Sequence, residues 1–182
     1  GGTGAVSGGK ITLSAARIRT DVLYPPGRAV EFVATFSGAA NQHAGFGIDF
    51  TQSAWAIFST MSGGGLWARS NGSPSIETLI SGSWLNASHR FRIEWAPTTV
   101  KYFIDGVEKV SHAVAIGSNM GPLASDYVSD GGDLVVDWMR MSPYPASCSY
   151  VSRVFDAGGT ATWGGMSWTA ATPSGTSLAM YV

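Results

Sequence analysis

The sequence predicts an all-β fold: an antiparallel β-sandwich followed by a β appendage. Three observations carry this expectation. Short runs that alternate apolar and polar residues recur along the chain, the pattern of a strand with one buried face. Clusters of Gly, Ser, Asn and Pro separate these runs. No window of adequate length shows a helical period, and many short strands joined by Gly-rich turns pack as a sandwich.

The opening, GGTGAVSGGK, lacks the apolar segment of a signal peptide. It reads as a linker or cut end, which places any export signal outside this chain. Lys10 to Ser14 alternates polar and apolar residues. Val30 to Phe36 is β-rich and stops at Ser37-Gly38. Ala44 to Phe50 and Trp55 to Met61 are two further runs, split by Thr51-Gln52-Ser53. Gly63-Gly64-Gly65 turns the chain into Leu66 to Arg69. The stretch from Ser70 to Pro74 turns it again, into Ile76 to Ile80.

The clearest alternation is Phe91-Arg92-Ile93-Glu94-Trp95, which puts Phe91, Ile93 and Trp95 on one face. Val100 to Ile104 follows a turn at Pro97, and Asp105-Gly106 then leads into Val107 to Val110. Asp-Gly between two β runs predicts a hairpin, because its turn needs positive φ at both central residues. Leu134 to Met141 is the last strand of the set, broken by Pro143 and Pro145. Residues 1–143 therefore read as one sandwich. Residues 144–182 read as a linker and then either an extra hairpin or the truncated start of a second β-domain.

Composition narrows the function. Charged residues make up 13% of the 182, against roughly 25% in an average soluble domain. A net charge of -1 with no basic cluster argues against a nucleic-acid binder that tracks phosphates. No apolar run approaches the ~20 residues that span a bilayer. Cys148 is the single cysteine, so an internal disulfide and a multi-Cys zinc site are excluded. His43, His89 and His112 lack metal-ligand spacing, and no Gly-x-Ser-x-Gly occurs. A charge-poor chain rich in Ser, Thr, Gly and Asn suits a secreted or cell-surface protein that meets neutral partners.

The stretch His89 to Pro97, continued by Val100 to Gly106, resembles the concanavalin A-like jelly roll. It looks most like the laminarinase and lichenase branch, the family-16 glycoside hydrolases. Val136 to Arg140 is similar to that family's closing strand, and Gly27 to Phe32 to an early one. The resemblance covers roughly residues 9 to 142. The family's catalysis needs carboxylates spaced along one strand, so that a nucleophile and an acid share a face about 5 Å apart. In chain order that strand falls near Trp55 to Met61, which contains no acid. Asp49 and Glu77 have no carboxylate partner at the required spacing. The resemblance thus implies the sandwich without the catalytic pair. It also implies a structural Ca²⁺ held by Asp137 with a carbonyl near Gly27, oxygen ligands of the kind calcium prefers; the alternative is that Asp137 hydrogen-bonds a neighbouring strand. Asp126, Asp130 and Asp133 form a second acidic group, in an expected loop from Ser125 to Asp133.

An exposed indole offers a flat apolar face on which a pyranose can stack. Trp95 and Trp138 lie in alternating strands and are expected in the core. Trp55, Trp67 and Trp84 sit where strands meet turns, either as platforms at a ligand groove or as edge packing. Trp163 and Trp168 belong to the tail. Asn41, His43, Asp49 and Arg69 are the candidate polar partners for sugar hydroxyls. The leading expectation is a non-catalytic, lectin-like, glycan-binding module of a larger exported bacterial protein, beside other domains of the same polypeptide. The alternatives are a structural or adhesion spacer and a divergent glycosidase or lyase.

Overall fold

The computed structural model describes residues 2–129, 131–143, 158–162, 164, 165, 167, 169, 170, 172 and 176–180. The chain divides into two compact units, Gly1–Pro145 and Ala146–Val182. Cys148, Trp163 and Trp168 lie outside the described residues, as does Asp130.

The first unit is a sandwich of two antiparallel sheets. In chain order its strands are β1 (Thr3–Ser7), β2 (Lys10–Ser14), β3 (Arg17–Arg19), β4 (Arg28–Thr35), β5 (Gln42–Gly47), β6 (Trp55–Thr60) and β7 (Leu66–Asn71). They continue with β8 (Ser75–Ile80), β9 (His89–Trp95), β10 (Val100–Ile104), β11 (Val107–His112), β12 (Gly121–Asp126) and β13 (Leu134–Ser142). One sheet has seven strands in the order β1-β2-β13-β4-β9-β10-β11. The other has six, in the order β3-β12-β5-β6-β7-β8. No described residue is helical, and among the described residues no helix is long and apolar enough to cross a membrane.

The alternation expected in β9 fixes the core. Phe91, Ile93 and Trp95 point between the sheets at 0%, 0% and 1% exposure, while Arg90, Arg92 and Glu94 point outward. Phe46 and Phe58 face them from the other sheet and, with Tyr102 of the neighbouring β10, complete an aromatic layer: Phe58 lies 4.9 Å from Phe91 and 5.3 Å from Tyr102, ring centre to ring centre. Burying one such side chain stabilises by roughly 1.5–3 kcal/mol. Trp95 also donates its Nε1–H to the Ile116 carbonyl at 3.1 Å. The Asp-Gly hairpin forms as its sequence requires, with φ of 51° at Asp105 and 82° at Gly106.

Several expectations need correction. Thr3–Ser7 is a strand rather than a linker; the two-residue turn Gly8-Gly9 folds it antiparallel onto β2. The run expected from Ala44 to Phe50 stops at Gly47. Trp138 is not in the core. A bulge between Val136 and Trp138 leaves Asp137 without a partner in the ladder to β4. One extra residue inverts the side-chain alternation beyond it. Met139 and Met141 then pack against the core, and Trp138 turns outward at 37% exposure. Asp126 belongs to β12 rather than to an acidic loop; it is 1% exposed and accepts a hydrogen bond from Gln42 Nε2 at 3.1 Å.

Candidate functional site

Strand register builds the site. On the outer face of the six-stranded sheet, cross-strand neighbours fall into rows. One row runs Arg17, Ser125, His43, Ser59, Trp67, Leu79. The next runs Arg19, Leu123, Gly45, Ile57, Arg69, Glu77. A third runs Gly121, Gly47, Trp55, Asn71, Ser75. At positions 45 and 47, β5 contributes no side chain to this face, so the surface sinks between His43 and Trp55. Gly45 is required by its backbone: at φ 151° an added Cβ would lie 2.4 Å from the Ala56 carbonyl oxygen.

The segment joining β5 to β6 folds back over β12 and β3. Arg19 Nη1 donates to the Ile48 carbonyl at 3.4 Å, and the Arg17 guanidinium stacks 5.2 Å from the Phe50 ring centre. Asp49 shapes the turn that follows. Its Oδ1 accepts from the Thr51 and Gln52 backbone N–H groups at 2.6 and 2.7 Å and from the Thr51 hydroxyl at 2.9 Å. Its Oδ2 accepts from Gln52 Nε2 at 2.7 Å. These backbone donors hold the carboxyl down at a pKa of about 2. On the other side, Asn41 accepts the Tyr127 backbone N–H at 3.0 Å and so seats Tyr127 at the rim.

Between these walls lies a cleft of about 410 Å³. Five of the seven residues expected at a ligand site line it: Asn41, His43, Asp49, Trp55 and Arg69. Trp67 shares the sheet face but stands farther along, its Nε1–H donated to the Gly64 carbonyl at 3.0 Å. Trp84 does not join them. It packs against His89 at 5.3 Å between ring centres, under Lys109, whose Nζ lies 4.7 Å from the indole. Sequence reasoning missed Phe50, Tyr127 and Ser125, which also line the cleft. Tyr127 is 68% exposed.

The chemistry of the lining is mild. Arg69 donates Nε–H to Glu77 at 2.8 Å, and its Nη2 lies 2.6 Å from the same carboxylate. His43 Nδ1 and Ser59 Oγ lie 2.7 Å apart. Burial, aided by the Arg69 charge, lowers the His43 pKa to about 4, so the imidazole is neutral at neutral pH. Ser59 is fully buried, so this Ser–His contact lacks both an accessible nucleophile and a strong base. The outward positions of β6 are Trp55, Ile57 and Ser59. None is an acid, although the resemblance to family-16 hydrolases implies carboxylates there. Asp49 is fully ionised at neutral pH and has no proton to give, and Glu77 is held by Arg69.

The structure does not bring Asp137 and Gly27 together. Gly27 donates its N–H to Trp95 and precedes Arg28 at one end of β4. Asp137 lies in the bulge beside Val33 and Ala34 near the other end, roughly 20 Å away at strand rise, and pairs with Lys10 at 3.6 Å. The two therefore do not share one ion. Among the described residues no group of three or more His, Cys, Asp or Glu could hold a metal ion.

Comparison with known proteins identifies the architecture. No family model matches the sequence, and no curated protein matches it. Solved structures do. A β-glucanase of Bacillus licheniformis is 12% identical, with 78% of this chain and 82% of that one aligned at a TM-score of 0.54. A glycosidic hydrolase is 14% identical over 78% and 81%, at 0.53. A glycoside hydrolase family protein of Mycobacterium thermorestibile is 12% identical over 74% and 77%, at 0.51. The fold is thus the concanavalin A-like jelly roll of these structures, at low sequence identity.

Proposed function

We propose that the protein is a non-catalytic glycan-binding module of an exported polypeptide, with the cleft on the six-stranded sheet as its binding site. The observation that carries this reading is the convergence of Trp55 with Asn41, His43, Asp49 and Arg69 on one cleft whose central strand offers no carboxylate. Trp55 supplies a stacking face. Asn41, Asp49 and Arg69 supply polar atoms at the rim for sugar hydroxyls. Retaining hydrolysis needs one protonated and one nucleophilic carboxyl at close range, and the lining holds one carboxylate that is fully ionised at neutral pH. The Bacillus β-glucanase of the same fold makes β-glucans the first ligands to try.

Affinity electrophoresis in gels containing laminarin, mixed-linkage β-glucan or galactomannan tests the proposal. Retardation of the wild type that is lost in Trp55→Ala supports it. No retardation in any gel overturns it and favours a spacer role. New reducing ends after incubation would overturn the non-catalytic reading.

A further inference from the structure

The polar lining of the cleft restricts which sugars can enter, and this restriction rests on the glycan-binding reading above. Arg69 is the one cationic side chain in the lining, and Glu77 on the neighbouring strand compensates it. Arg17 and Arg19 keep their charge but lie outside the lining, against Phe50 and Ile48 of the covering segment. His43 is uncharged at neutral pH. Asp49 is ionised at the rim. A carboxylate or sulfate on the ligand would therefore meet the ionised Asp49 and, among the lining residues, only a cation already paired with Glu77, while losing its own hydration.

At the floor, Ser125 is 2% exposed, and its Oγ has no hydrogen-bond partner among the described residues. It faces the cleft on β12, directly across from His43 on β5. A hydroxyl carries one donor and two acceptor sites, and burying it unpartnered is unfavourable. A neutral imidazole alongside adds a complementary donor or acceptor. The pair thus matches a group that both gives and takes a hydrogen bond without charge.

We propose that Ser125 and His43 form a subsite for one buried, uncharged hydroxyl of the bound sugar, so that the cleft accepts neutral saccharides and rejects uronate- or sulfate-bearing ones. This makes Ser125 a specificity-determining residue distinct from the Trp55 platform.

The test uses the neutral glucan that the full chain binds most tightly among laminarin and mixed-linkage β-glucan, together with its carboxymethylated form. Titration calorimetry of wild type, Ser125→Ala and Trp55→Ala is paired with thermal melts. Ser125→Ala is expected to weaken binding about tenfold, the scale of one buried hydrogen bond. Its melting temperature should hold or rise, because the variant removes a buried unsatisfied hydroxyl. Carboxymethylation should weaken wild-type binding at least about tenfold. If Ser125→Ala binds like wild type while Trp55→Ala does not bind, the subsite is wrong and the glycan-binding reading stands. Equal or tighter binding of the carboxymethylated glucan overturns the selectivity. If the wild type binds neither neutral glucan, both proposals fall together.

Discussion

The two sheets present outer faces of opposite character. On the seven-stranded sheet, Glu31 takes Arg140 on one carboxylate oxygen, with Nε at 2.9 Å, and Arg90 on the other at 3.3 Å. Arg92 pairs with Glu94 at 2.9 Å, and Lys101 with Glu108 at 3.0 Å. Such charge-covered faces discourage association. The cleft region of the six-stranded sheet instead presents Gly45, Gly47, Ile57, Leu123 and Ser125, with aromatic rings around them. Both faces obey the same strand alternation, so the fold alone does not demand the difference. The recess at Gly45 and Gly47, walled by aromatic and polar side chains, is the part of this face that the proposed ligand would fill.

The sharpest way to break this comparison is to disturb the glycines beneath the recess. Gly45→Ala places a Cβ 2.4 Å from the Ala56 carbonyl oxygen, 2.6 Å from Cδ1 of the core residue Ile93 and 2.9 Å from Ile57 Cα. Backbone cannot yield as a side chain can, so a loss above about 3 kcal/mol is expected in urea unfolding. At Gly47 the nearest atom is Leu123 Cδ2, at 2.5 Å. Gly47→Ala should therefore cost much less stability and act mainly by narrowing the cleft.

Next in size is the contrast between two tryptophans. Trp55→Ala should weaken glycan binding about thirtyfold, or ~2 kcal/mol, because a stacking face is lost. Trp138→Ala on the opposite sheet, where Arg140 covers the ring at 5.0 Å, should leave binding unchanged. Equal losses from both variants would remove the distinction between the faces.

Acid offers a third lever. The folded-state pKa of His43 is lowered from 6.5 to about 4. Between those values the unfolded chain binds more protons, so stability rises with pH. It should fall by about 1–2 kcal/mol as pH drops from 7 to 5. His112, lowered by burial in the same direction, adds to this slope. His43→Gln should therefore flatten only part of it in melts across that range. Asp49, with its pKa of about 2, loses its contribution only as pH falls from its ordinary value toward 2, which separates the two effects.

How much of this was legible in the sequence depends on what each residue needed to reveal itself. The β9 alternation and the Asp105-Gly106 turn are local patterns, and both formed as expected. Trp138 was misplaced because a bulge is a property of the ladder rather than of one strand. β12 escaped notice because Pro122 and the small residues beside it carry little strand propensity; its pairing with Phe46 and Ala44 holds it. Ser125 was hidden with it. Asn41, His43 and Asp49 were legible as polar residues flanking a strand, and Trp55 and Arg69 as the matching positions on the next two. Trp84 carried the same local signal as Trp55. Only its packing on His89 separates them, and that contact spans chain segments.

The smallest expected effect lies on the charged face and sharpens the contrast from the other side. Glu31 is 7% exposed, but the guanidiniums of Arg90 and Arg140 that it holds are about half exposed. Water can therefore replace much of what Glu31→Gln removes, and a loss of about 1 kcal/mol is expected. That loss should shrink as salt rises, because partly exposed ion pairs are screened. Glycan affinity of the same variant should match wild type, and wild-type affinity should barely change between low and high salt, since the proposed ligand is uncharged. Salt-dependent unfolding with salt-independent binding would assign charge to one face and recognition to the other. Binding that weakens steeply with salt would instead mean that the charged face takes part in recognition.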